Sequence, residues 1–112
     1  MKKVFITILV VSFALPVCAQ EIGIQLYSLR NQFKNDIEGT LKTIADWGID
    51  TVEGGDTYGM DEAKFRALLE KYGISVVGIG VDYNDLKKDL SALADKADRY
   101  GAKYLMCPWI PH

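Results

Sequence analysis

The sequence predicts an α/β fold of parallel strands joined by crossover helices, and two observations carry that prediction. One short pattern occurs three times: an aromatic residue, a glycine, then an apolar stretch. It reads Trp47-Gly48-Ile49-Asp50-Thr51-Val52, Tyr72-Gly73-Ile74-Ser75-Val76-Val77 and Tyr100-Gly101-Ala102-Lys103-Tyr104-Leu105. Each glycine follows a stretch with helical apolar spacing, where a left-handed residue ends a helix without the cost of a Cβ, and each precedes a run of strand type. The second observation is the order this imposes. Helix, glycine and strand repeat at a spacing that leaves no room for hairpins, so neighbouring strands run parallel with a helix between them.

Taken in order, the first strand is expected over 22–29, where Ile22, Ile24 and Leu26 alternate with Gly23, Gln25 and Tyr27. Residues 31–35 read as a polar loop. Asn35 followed by Glu38 resembles a capping box, and Ile37, Leu41, Ile44 and Ala45 then share one helical face up to Gly48. A short second strand, 50–53, stops at Gly54-Gly55, and 56–60 forms the loop beyond it. Asp61 caps a second helix carrying Phe65, Leu68, Leu69 and Tyr72 at i, i+3, i+4 and i+7.

The third strand, 74–81, is a nearly continuous apolar run, as expected of a strand covered on both faces. A single third helix is expected to turn Leu86, Leu90, Leu93, Ala94 and Ala97 inward. Its solvated face would carry Lys87, Lys88, Asp95, Lys96 and Arg99. Residues 103–109 form the fourth strand. The count is then four strands and three helices. An eightfold barrel of TIM type needs about 250 residues, so a chain of 112 holds about half of one. An open four-stranded sheet is the competing architecture, but it leaves edges and one apolar face poorly covered.

The first nineteen residues stand apart. Lys2 and Lys3 precede an apolar run over 4–15, then Pro16 and Val17-Cys18-Ala19, the order of a secretory signal. The run is short of the ~20 residues that a membrane span needs. Cleavage after Ala19 is expected, with residues 20–112 as an amino-terminal half-barrel in the periplasm or outside the cell, free of the membrane once the signal is removed. A lipid anchor on Cys18 is the lesser alternative. Cys107 would be the one cysteine left, so no intrachain disulfide can form. The formal charge is −2 and becomes more negative when the two lysines leave. That balance argues against a nucleic-acid partner.

In such folds the working face lies at the carboxyl ends of the strands. Tyr27, Ser28 and Arg30 follow the first strand, Glu53 and Asp56 the second, Asp82 the third, and Trp109 and His112 the fourth. Carboxylates can move protons or hold a metal, and aromatic rings supply flat walls. Asp82 reads better as a helix cap than as a ligand group, while Tyr27 and Trp109 could equally fill the barrel interior. His112 alone would be a terminal residue. Glu53 is the most informative, since a carboxylate ending a strand beside Gly54-Gly55 has no packing rationale. Gly78-Ile79-Gly80 lacks the third glycine of a dinucleotide fingerprint, and no zinc or phosphate-loop pattern occurs.

Three stretches carry a resemblance: Ile24-Gln25-Leu26-Tyr27-Ser28-Leu29-Arg30, Val52-Glu53-Gly54-Gly55, and Lys103-Tyr104-Leu105-Met106-Cys107-Pro108-Trp109-Ile110-Pro111-His112. From about Ile22 to His112 the chain resembles the sugar phosphate isomerase/epimerase family of xylose-isomerase-like barrels. The resemblance implies a divalent metal, manganese, magnesium or zinc, and proton transfer next to the carbonyl of a sugar or polyol. It implies metal ligands on later strands, with none expected bound to this segment. It places Gln25, Tyr27, Glu53, Trp109 and His112 around the substrate, and Glu53 and His112 are the candidates for chemistry, with Asp56 a further substrate contact. Many members carry a histidine near the end of the third strand, where this chain has Gly80.

The expected function is therefore an exported isomerase or epimerase of free sugars, sugar acids or cyclitols, this segment being inactive by itself. The alternatives are a non-catalytic carbohydrate-binding barrel and a dehydratase on the same scaffold. Self-association through exposed strand edges is expected of the segment.

Overall fold

The computed structural model describes residues 20–111. The predicted signal over 1–19 and the candidate His112 lie outside the described residues. Four parallel strands form one sheet in the order β1-β2-β3-β4: β1 is Gly23–Gln25, β2 Thr51–Gly54, β3 Ser75–Gly80 and β4 Tyr104–Met106. Between them lie α1 (Arg30–Asn35), α2 (Ile37–Asp46), α3 (Glu62–Lys71), α4 (Tyr83–Lys88) and α5 (Leu90–Tyr100). The sheet is open, with β1 and β4 at its edges among the described residues. No helix among the described residues is long and apolar enough to cross a membrane.

The three glycine joints are as predicted. Gly48, Gly73 and Gly101 have φ of 76°, 66° and 67°, each past the end of a helix and before a strand. Asp61 caps α3 by accepting from the Lys64 amide, and Asp82 caps α4 through the Asn84 amide. The core fills the layer between sheet and helices. Val52, Val76 and Ile79 from the strands meet Phe33, Leu41, Ile44, Phe65 and Leu69 from the helices, all buried. Burial of each such side chain is worth roughly 1.5–3 kcal/mol, which is what holds the helices on one face of the sheet.

Several expectations are corrected. The first strand ends at Gln25 rather than at residue 29, because Leu26–Leu29 is a 3-10 turn and the polar stretch after it is α1, not a loop. Leu26, Leu29 and Phe33 are spaced at three and four residues, a helical spacing, and all three pack inward. The cap of α2 is Asp36, not Asn35: its carboxylate accepts from the Gly39 amide at 2.8 Å.

The single third helix is two. Asp89 (φ −155°, ψ 84°) ends α4 and caps α5 by accepting from the Ala92 amide. The new turn leaves Leu90 58% exposed instead of inward, and Ala94 is exposed as well. Lys96 is not on a solvated face either, since it is partly buried and its ammonium donates to the Gly55 carbonyl. The fourth strand is the short β4, with 107–111 irregular beyond it.

Candidate functional site

A cavity of about 640 Å³ opens at the carboxyl ends of β1 to β3, lined by Gln25, Tyr27, Glu53, Asp56 and Tyr58 with the backbone of Gly54, Gly55 and Gly80 and the ring of Pro108. Glu53 stands opposite Gln25 in the parallel β1–β2 register, and Gln25 Nε2 donates to Glu53 Oε2 at 3.0 Å. One oxygen of the carboxylate is thus oriented by a neutral donor on the next strand.

Its position depends on an irregularity. The β2–β3 register slips after Val52: Val52 pairs with Val76 but Glu53 pairs with Gly78, leaving Val77 as an extra residue. Such a bulge re-aims a side chain at the end of a strand. Here it lays Glu53 across the two glycines of β3. A Cβ on Gly78 would meet Glu53 Cγ at 3.6 Å, and one on Gly80 would stand 3.1 Å from Glu53 Oε1. Gly78 and Gly80, which fit no dinucleotide motif, provide the floor on which this carboxylate lies.

The loop after β2 builds the opposite wall. Gly55 has φ 134°, and a Cβ there would press on Ile79 Cγ2 at 3.0 Å, so only glycine passes. Asp56 accepts from the Tyr58 amide at 2.9 Å, and Tyr58 takes a left-handed φ of 54°, unusual for a bulky residue. Its ring lies parallel on Phe33, with centroids 4.3 Å apart and 3° between planes, and is tilted against Phe65. Burial, helped by the Asp56 carboxylate, pushes the Tyr58 phenol up to about 12, so it remains a neutral donor. Sequence reasoning left Tyr58 out. The signal available was the aromatic set Phe33, Tyr58 and Phe65, which no local pattern connects.

The remaining candidates are dispersed. Tyr27 lines the cavity and is 63% exposed, and the Arg30 guanidinium lies over its ring at 4.6 Å while donating to the Tyr27 carbonyl. Trp109 is also 63% exposed and does not line the cavity; its carbonyl accepts from Cys107 Sγ. Asp82 serves as the α4 cap. Gln25, Tyr27, Glu53 and Asp56 are therefore brought together, and Trp109 is not.

A second cavity, of about 680 Å³, lies at the amino-terminal end of β3 between α3 and α5. Its arginines are engaged: Arg99 pairs with Glu62, and Arg66 donates to the Arg99 carbonyl. The first cavity is the better candidate because its polar groups converge on open space.

Among the described residues, no group of three or more His, Cys, Asp or Glu converges as a metal site. Glu53 and Asp56 offer two carboxylates, fewer than the three protein ligands that commonly hold a catalytic metal. These residues do not by themselves form a metal centre.

No family model matches the sequence, and no curated protein matches it. Among solved structures, the chain is similar to a sugar phosphate isomerase/epimerase from Parabacteroides distasonis ATCC 8503, with a TM-score of 0.64 and 23% identity over 82% of this chain. The chain has the fold of part of a β/α barrel. It spans 43% of the length of that solved chain, in agreement with four strands of a larger barrel. The resemblance expected from the strand motifs is thus met at the level of fold.

Proposed function

We propose that the chain supplies part of the active site of a sugar or polyol isomerase or epimerase that acts by proton transfer next to a carbonyl. One observation carries this reading: the Glu53 carboxylate, oriented by Gln25, faces a cavity at the strand ends of a sheet that matches a solved sugar phosphate isomerase/epimerase. A carboxylate so held can take a proton from the hydroxyl-bearing carbon beside a carbonyl and return it to the former carbonyl carbon, while the hydroxyl proton passes to the carbonyl oxygen, which is aldose–ketose isomerisation. Epimerisation needs a second group on the opposite face of that carbon. In this reading Tyr27 and Tyr58 wall the substrate, and the Tyr58 hydroxyl donates to a substrate oxygen.

A divalent metal belongs to the proposal for the whole enzyme, with ligands from outside the described residues. Export to the periplasm or beyond is part of the same proposal, supported by Lys2-Lys3, the apolar run and Val17-Cys18-Ala19.

A non-catalytic carbohydrate-binding barrel is favoured by a separate observation, that Asp56 is tied to the Tyr58 amide and leaves Glu53, itself held by Gln25, as the one carboxylate in the cavity not bonded to the backbone among the described residues. One experiment separates the two. In deuterated water, the protein as its gene encodes it should exchange a C–H proton of at least one compound in a panel of free aldoses and ketoses, and Glu53→Gln should abolish the exchange. Binding without exchange would support the carbohydrate-binding reading. Exchange that survives Glu53→Gln would remove Glu53 from the chemistry.

A further inference from the structure

We infer that this part of the site takes polyhydroxy compounds without an anionic group, free sugars, sugar alcohols and amino sugars, and rejects sugar phosphates and sugar acids. The inference rests on the sugar-site reading above and narrows it. Both charged side chains that line the cavity, Glu53 and Asp56, are acids, and no lysine, arginine or histidine lines it among the described residues. Ionised carboxylates only accept hydrogen bonds, so they are matched by hydroxyl or ammonium donors. A phosphate or carboxylate group would set acceptor against acceptor and like charge against like charge.

The nearest cations do not relieve this. Arg30 lies over the outer ring of Tyr27 and donates to the Tyr27 carbonyl at 3.1 Å, and Lys96 donates to the Gly55 carbonyl. Neither lines the cavity. Phosphate recognition ordinarily uses arginine forks, lysine or a helix amino terminus pointed at the anion. The nearest helix start in the loop after β2 is that of α3, and its first turn carries Glu62 behind the Asp61 cap.

The uncharged walls point the same way. Tyr27 presents an exposed ring, and Tyr58 is clamped flat on Phe33 with no protein partner on its hydroxyl among the described residues. Flat aromatic faces beside a few oriented polar groups suit a ligand with apolar C–H faces and hydroxyl edges. The name of the solved neighbour includes a phosphate, whereas no lysine, arginine or histidine lines this cavity among the described residues.

The test is a titration at low salt of the protein as its gene encodes it, with glucose, glucosamine, gluconate and glucose 6-phosphate. Binding is followed at the Gln25 side-chain amide and the Gly80 backbone amide by NMR. Glucose and glucosamine should shift both signals, with gluconate and glucose 6-phosphate at least about tenfold weaker, or about 1.4 kcal/mol. That penalty should shrink in Glu53→Gln and in Asp56→Asn, which remove charge while keeping volume. Glucose 6-phosphate binding as tightly as glucose, or a penalty unchanged in both variants, overturns the charge inference and leaves the sugar site standing. Silence of these amides toward all four compounds overturns the sugar reading and this inference with it.

Discussion

The Glu53 carboxylate occupies the space that a side chain on Gly80 would need, with Oε1 only 3.1 Å from where a Cβ on Gly80 would stand. Gly80→Ala should therefore displace the carboxylate rather than the backbone, since Glu53 is the far end of a flexible side chain. A double-mutant cycle reads this directly. The cost of Gly80→Ala in urea denaturation should be largely absent in a Glu53→Ala background, giving a coupling on the order of 1 kcal/mol. Equal cost in both backgrounds would place the strain elsewhere in β3. A histidine at this position, which the family resemblance expects, would have to share the same volume.

How much of this was legible follows from which signals are local. The helix-glycine-strand joints were readable because a left-handed φ past a helix end is a demand on one residue, which glycine alone meets cheaply. The apolar run of β3 and the Asp61 cap were readable for the same reason. The early end of β1 was less so. Leu26 satisfies both a two-residue alternation with Ile24 and a helical spacing with Leu29 and Phe33, and packing chose the second. Asp89 was hidden inside a continuous helical pattern, Leu86, Leu90, Leu93 and Ala97, which its capping bond interrupts. Within the site, Glu53 could be singled out by type and position. The slip that aims it, the glycine floor beneath it and the Phe33–Tyr58 stack each depend on residues far apart in sequence.

Two exposed ion-pair clusters link the helices and set an acid limit on stability. Glu38 Oε1 accepts from Lys71 Nζ at 2.6 Å and Tyr72 Oη at 2.9 Å, and these bonds hold its carboxyl below the ordinary 4.5. Glu62 is lowered in the same way, chiefly by its bond to Arg99 at 2.7 Å. A carboxyl whose folded pKa is depressed contributes stability above its unfolded value, and that contribution is lost as pH falls through the folded one. The Tm should therefore fall below pH 4.5, and the double variant Glu38→Gln, Glu62→Gln should show a flatter acid limb than the parent. Because both clusters are exposed, the difference should narrow at high salt. Identical acid limbs would mean that these pairs contribute nothing.

The open sheet predicts association. The outer edges of β1 and β4 have no strand partner among the described residues. Tyr104 and Met106 share the face that holds Gly78 and Gly80 and are 67% and 40% exposed, and Ile110 is exposed as well. Unpaired edges beside apolar side chains are templates for pairing. Sedimentation of this chain should show dimers or larger species, and the double variant Tyr104→Lys, Met106→Lys should shift them toward monomer. A compact monomer at every concentration, with a cooperative thermal transition, would show that the half-sheet needs no cover.

Metal binding gives the last prediction: this segment should bind manganese, zinc or magnesium weakly at most. The carboxylate oxygens in the cavity among the described residues are those of Glu53 and Asp56, and each side chain already accepts a hydrogen bond. Glu53 accepts from Gln25, and Asp56 accepts from the Tyr58 amide at 2.9 Å in the turn that sets the left-handed φ of that residue. Even drawn onto one ion through their other oxygens, the two would supply two ligands where a catalytic site commonly has three or more, oriented by a further layer of partners. Asp82 cannot join them cheaply, because it caps α4. Calorimetric titration of residues 20–112 should show weak binding that survives Glu53→Gln. Micromolar or tighter affinity, abolished by Glu53→Gln or by His112→Ala, would instead place the metal site in this segment. It would also make Glu53 a ligand rather than the group that moves the proton.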